Sequence, residues 1–258
     1  MLTALLLVLV GGSDVLRTHL GRTAATVAIV VLGTAAVVAS VAGLGAPVVG
    51  AAVVVVLAAL WLLVSTTEAG RRPPGGVRAV VGLAVAVLTL TVVDRAAPGL
   101  EGPLVDAWTA LDPPARGRSL EQVLLAVGAA LLLLETGNVI VRAALHRETV
   151  PGTERATVRR GFSLRARFSR PAEQEVPQPD LRGGRAIGPL ERILVAGLTL
   201  SGAIGLAGAV FAAKGIVRFP EISRDGDRGS KAEYFLVGSL VSWTLALGCA
   251  ALVALAGA

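Results

Sequence analysis

The run Thr23-Ala-Ala-Thr-Val-Ala-Ile-Val-Val-Leu-Gly-Thr-Ala-Ala-Val-Val-Ala-Ser-Val-Ala-Gly-Leu44 carries no charged residue. A helix of about 20 apolar residues is long enough to cross the ~30 Å hydrocarbon core of a bilayer, so this stretch alone points to a membrane span. A second uncharged run, 47–64, follows after Gly43, Gly45 and Pro47. Glycine and proline at that spacing break a helix and turn the chain, and the two runs read as a tight helical hairpin. Outward from this pair, four more segments meet or approach the same test: 77–93, the weakest; 123–145, which carries Glu135, Asn138 and Arg142; 193–213; and 234–255. The fold class expected is all-α, a polytopic transmembrane helix bundle of about six spans.

The composition agrees. Of 258 residues, 54% are Ala, Val, Ile, Leu, Met, Phe, Trp, Tyr or Cys, only 16% are charged, and Gly contributes 31 more. Mean hydropathy is +0.73. That much apolar surface excludes an intrinsically disordered chain and could not all fit inside the core of a soluble domain of this length. The lone Cys249 cannot form an internal disulfide, and with only His19 and His146 beside it no Cys/His metal site can be assembled.

The segment 1–12 is apolar but lacks the basic region and small-residue cleavage site of a secretory signal. It is too short to span alone, and extending it to Leu20 buries Asp14 and Arg17, so it reads as an interfacial or half-spanning helix, with a seventh span left open. The organisation expected is a short apolar segment over 1–22, a four-span region over 23–145, a disordered basic cytoplasmic loop over 146–188 and a two-span region over 189–258. The loop is rich in Arg, Pro, Gly and Glu without apolar period. Positive residues mark the cytoplasmic side of a membrane protein. With 13–22 inside, 16 of the 24 Lys and Arg face the cytoplasm, as do both termini, while the segment 94–121 lies outside with an acidic excess. One loop resists this assignment, because 214–231 falls outside yet carries five positive residues.

Three features could carry function. In Leu131-Leu-Leu-Leu-Glu-Thr-Gly-Asn-Val-Ile-Val-Arg142, Glu135 and Asn138 share a helix face. A carboxylate in hydrocarbon must be protonated, paired or in contact with internal water, so Glu135 is either a polar clamp between helices or the titrating group of a relay. Past the fifth span, Lys214 and Arg218 are four apart, and with Tyr234 they form a candidate anion or headgroup site. In the basic loop, Arg155, Arg159, Arg160, Arg165, Arg167 and Arg170 alternate with Phe162, Leu164 and Phe168. Such a pattern suits anionic headgroups, at about 1 kcal/mol per cation, and lipid is preferred to nucleic acid because the loop is tethered to the bilayer at both ends. Gly197, Ser201 and Gly205, each four apart in the fifth span, make a small-residue face for close packing or for a homo-oligomer. Trp61 fits an aromatic anchor at a span end, Trp243 a packing role in the last span, and Trp108 a short amphipathic helix on the outer face.

No Gly-x-Gly-x-x-Gly, phosphate-binding loop, Gly-x-Ser-x-Gly or His-Glu-x-x-His occurs, and neither catalysis nor a cofactor is expected. Three stretches, Gly184-Arg-Ala-Ile-Gly-Pro-Leu-Glu-Arg192, Ala212-Ala-Lys-Gly-Ile-Val-Arg-Phe219 and Ala232-Glu-Tyr-Phe-Leu-Val-Gly-Ser-Leu-Val-Ser-Trp243, resemble the tail of an uncharacterised bacterial multi-pass membrane family, catalogued as a domain of unknown function. The resemblance covers the C-terminal third. It implies a bacterial inner-membrane location and draws attention to Glu191, Arg192, Lys214, Arg218, Glu233 and Tyr234, without an activity. The reading that follows is a non-enzymatic interaction or scaffold component engaging anionic lipid or a protein partner; the alternative is a small transporter or channel using Glu135.

Overall fold

A computed structural model describes residues 1–67, 75–111, 117–145, 184–223 and 230–257, and all regular structure among them is helical. The elements are α1 (Leu2–His19), α2 (Arg22–Val38, continued by a π-helical turn, Ala39–Gly43), α3 (Val48–Val64), α4 (Gly76–Ala96), α5 (Pro103–Thr109) and α6 (Leu120–Leu131). A second π-helical turn, Leu132–Thr136, joins α6 to α7 (Gly137–Leu145), and α8 (Gly184–Leu200), α9 (Ile204–Ser223) and α10 (Ser230–Leu255) complete the chain. Among the described residues five stretches are long and apolar enough to cross a membrane: Leu2–His19, Arg22–Gly43, Gly76–Ala96, Leu120–Leu145 and Ala232–Leu255; Val48–Val64 is apolar but shorter.

The segment expected to lie at an interface is instead the axis of the bundle. A helix that is apolar all round belongs inside, and α1 buries Leu5, Leu6, Leu7, Leu9 and Val10 against Val54 and Ala58 of α3, Leu83 and Val87 of α4, and Leu125, Ala129 and Leu132 of α6 and the turn after it. Gly11 makes the closest approach possible: a Cβ there would stand 2.5 Å from the backbone nitrogen of Leu132. By contrast, Ala25 is the one buried residue of α2, and Val27, Val30 and Val31 stand about 60% exposed.

The contacts define two ends. At one, acidic, end the Met1 ammonium lies 2.7 Å from Asp94 and 2.6 Å from Glu121. The Asp94 carboxylate also accepts from the backbone N–H groups of Leu2 and Thr3, both at 2.8 Å, which satisfies two of the donors that a helix start leaves free. The end of α10 lies here too, since Arg95 donates to the Leu255 carbonyl at 3.1 Å and Gln122 to that of Val253 at 3.4 Å. At the other, basic, end Arg17 reaches the Leu62 carbonyl and Arg142 that of Thr66. Both termini therefore share an end with the 94–121 segment, from which the charge count separates them.

The expected fifth span, 193–213, is broken. Ser201, Gly202 and Ala203 close α8 with two bonds, from Gly202 N–H to the Thr199 carbonyl and from Ala203 N–H to that of Leu198, with Gly202 at φ 77°. This is a Schellman ending, whose left-handed residue is glycine because a Cβ is disfavoured there. Beyond it α9 doubles back along α8, and Lys214 meets Glu191 across the pair. The chain thus enters and leaves this helical hairpin at the basic end. Gly197, Ser201 and Gly205, expected on one continuous face, fall on both sides of the break, and each is exposed.

Candidate functional site

Asp14, on the last turns of the axial helix, is 0% exposed. A buried carboxylate costs several kcal/mol unless donors surround it, and three do. Trp61 Nε1 of α3 and Thr136 Oγ1 of the second π-helical turn donate to Oδ2 at 3.0 and 2.7 Å, and Arg17, one turn on, donates to Oδ1. Arg17 also donates to Ser65 Oγ at 3.0 Å. Trp61 is therefore an interior donor and not an anchor at a span end.

The π-helical turn organises the next layer. Bonding from i to i+5 inserts an extra residue into the helix and leaves carbonyls without their usual i+4 donors. Arg192 of α8, 2% exposed, fills that gap: its Nε donates to the Leu133 carbonyl at 2.8 Å and its Nη2 to the Leu134 carbonyl at 3.2 Å and to Asn138 Oδ1 at 2.8 Å. Gly137 makes room, since a Cβ on it would stand 2.7 Å from Arg192 Nε. Asn138 in turn donates to Glu135 Oε2 at 3.4 Å, and His19 Nε2, 68% exposed at the basic end, lies 3.9 Å from Glu135 Oε1. Glu135 and Asn138 are neighbours, as their spacing suggests. The cation bonded to Asn138 is Arg192, while the Arg142 guanidinium donates to the Thr66 and Thr67 carbonyls.

Beside Arg192, Glu191 accepts from Lys214 Nζ at 2.6 and 2.9 Å and from Trp243 Nε1 at 2.8 Å. The ammonium also stands 5.7 Å from the centre of the Trp243 ring, which packs on Phe211. Lys214 is thus held by a carboxylate, while Arg218 and Tyr234 are exposed. Arg155, Arg159, Arg160, Arg165, Arg167 and Arg170 lie outside the described residues.

Three acids, Asp14, Glu135 and Glu191, and three cations, Arg17, Arg192 and Lys214, make one row linked through the adjacent pairs Glu135–Thr136 and Glu191–Arg192. The sequence offered Glu135 as the one clear intramembrane acid. Asp14 was legible through its i,i+3 spacing to Arg17, and Glu191 through its place in the resemblance alone. Among the described residues no group of His, Cys, Asp and Glu could hold a metal ion. No family model, curated protein or solved structure matches this chain.

Proposed function

We propose that the chain is an integral protein of a bacterial inner membrane, without enzymatic activity, acting as a scaffold or interaction component whose basic loop faces the cytoplasm. The girdle of exposed Val and Leu on α2, α3, α4 and α10 exceeds what water tolerates and suits lipid. The hairpin removes the anomaly of the 214–231 loop. Of the 24 Lys and Arg, only Arg95, Arg116 and Arg118 then belong to segments at the acidic end, and the positive-inside rule makes the basic end cytoplasmic. Both termini fall on the outer side in this arrangement. Anionic headgroups are the partner best matched to Arg155–Arg170.

With Cys249 replaced by Ser, cysteines at Thr67 and Arg218 should react with an impermeant thiol reagent from one side of the membrane, and a cysteine at Thr109 from the other. Reaction of 218 and 109 from the same side would overturn this topology.

The scaffold reading rests on one observation: Asp14 is paired with Arg17 and Glu191 with Lys214, Glu135 accepts from the Asn138 amide that Arg192 holds, and a dry layer separates this row from the acidic end. Along α1 from Ala4 to Gly12 every residue is apolar, and Leu6, Val10 and Val54 are fully buried there. A permeating ion would have to cross about 13 Å of packed side chains. The transporter reading keeps one point in its favour, the contact between exposed His19 and buried Glu135. Proton flux into liposomes decides between them. Wild type should leak no faster than protein-free vesicles, and Glu135→Gln should lower the melting temperature in detergent by a few degrees; a wild-type flux abolished by Glu135→Gln would replace the scaffold with a transporter.

A further inference from the structure

At the acidic end α5 lies beside the start of α6, and between them opens a cleft of about 540 Å³, lined by Leu100, Val105, Trp108, Arg118, Leu120 and Glu121 among others. The size falls within the range of small-ligand sites. The indole of Trp108 donates to the Arg118 backbone carbonyl at 3.4 Å, which ties the ring to the segment that carries Arg118. Among the described residues no carboxylate pairs with the Arg118 side chain. Glu121 holds the Met1 ammonium with one oxygen, yet its side chain remains 36% exposed. A free cation, a carboxylate with an open face and an indole thus surround an apolar floor.

We infer that this cleft binds the headgroup of a zwitterionic aminophospholipid, with its phosphate on Arg118, its primary ammonium on Glu121 and the Trp108 ring, and an acyl chain along Leu100, Val105 and Leu120. Charge complementarity selects this occupant. Phosphate on guanidinium is a charge-assisted contact, and ammonium over indole is a favourable one. A headgroup of net negative charge would instead lie beside the carboxylate of Glu121 and that of Asp106 on α5.

The inference rests on the membrane reading, and the test separates the two. Full-length protein released from detergent is titrated with phosphatidylethanolamine or phosphatidylglycerol and followed by native mass spectrometry, in wild type, Arg118→Gln and Trp108→Leu. Wild type should retain phosphatidylethanolamine in preference to phosphatidylglycerol, and Arg118→Gln should weaken that retention about tenfold, the loss of one charge-assisted contact. Equal retention of the two lipids, or an Arg118→Gln variant indistinguishable from wild type, overturns the cleft assignment. Wild type that fails to float with vesicles of any composition overturns the membrane reading itself.

Discussion

Replacing Asp14 with Ala should lower the melting temperature in detergent by roughly 10 °C, since breaking a buried ion pair costs about 3–5 kcal/mol. The loss has three parts: Arg17 keeps its charge inside the bundle without its carboxylate, and the Trp61 and Thr136 donors lose their acceptor. Most of the damage comes from charge left behind. The double replacement Asp14→Leu with Arg17→Leu should therefore be less harmful than Asp14→Ala alone, because a packed hydrophobic pair avoids the desolvation that the ion pair bears. Thermal unfolding followed by loss of the monodisperse peak measures both. An unchanged melting temperature in Asp14→Ala would remove the axial cluster from the forces that hold α1, α3 and the π-helical turn together.

The misplacement of α1 in the sequence has the same physical root. A window average treats Asp14 and Arg17 as two penalties, and on that basis the segment 1–20 reads as interfacial or half-spanning, with a full span left open. In the bundle the two charges face each other, and Trp61, Ser65, Thr136 and the Leu62 carbonyl bond them further, with Arg17 Nε alone of the pair's buried polar atoms left without a partner. Those partners lie more than 40 residues away, so no local window can credit them. The other helices were legible because their apolar content needs no partner to be read: Arg22–Gly43, Gly76–Ala96 and Leu120–Leu145 run close to the expected limits.

The fifth span failed for a different reason. Hydropathy over 193–213 is blind to turn chemistry, and the four-residue spacing of Gly197, Ser201 and Gly205 suggests a packing face. The residue that matters is Gly202, which is off that spacing and ends α8. One sequence signal did mark the break. Five positive residues in 214–231 conflict with an outer location, and they do so because α9 returns to the end from which α8 came. At this loop the charge pattern carried the signal, whereas hydropathy reports only that a segment is apolar.

Arg192 should prove the largest single determinant of the hairpin. Its guanidinium supplies donors to two carbonyls of the π-helical turn and to Asn138, and a planar fork is suited to such a set where an ammonium is not. Arg192→Met leaves the Leu133 and Leu134 carbonyls and the Asn138 oxygen without these donors, each lost bond to the charged group being worth about 1.5–3 kcal/mol. It also removes the guanidinium that joins Asn138, and through it Glu135, to α8. The consequence is local before it is global, because α1, α3, α4 and α6 share a core that the hairpin touches through Ala196 and Leu200 alone among its apolar residues. Cys249 reports the difference. It is buried on α10, which packs along α8, and it is the chain's sole thiol. In Arg192→Met it should react with N-ethylmaleimide at least tenfold faster than in wild type, at temperatures where the rest of the bundle remains folded. Arg192→Lys should fall between the two, since a lysine can hold the charge but cannot span all three acceptors. Gly137→Ala should move reactivity in the same direction by a smaller factor, by crowding the guanidinium without removing it. Wild-type reactivity in Arg192→Met would mean that α8 is held by packing alone, and that the π-helical turn owes its shape to α1 and Asp14 and not to the arginine.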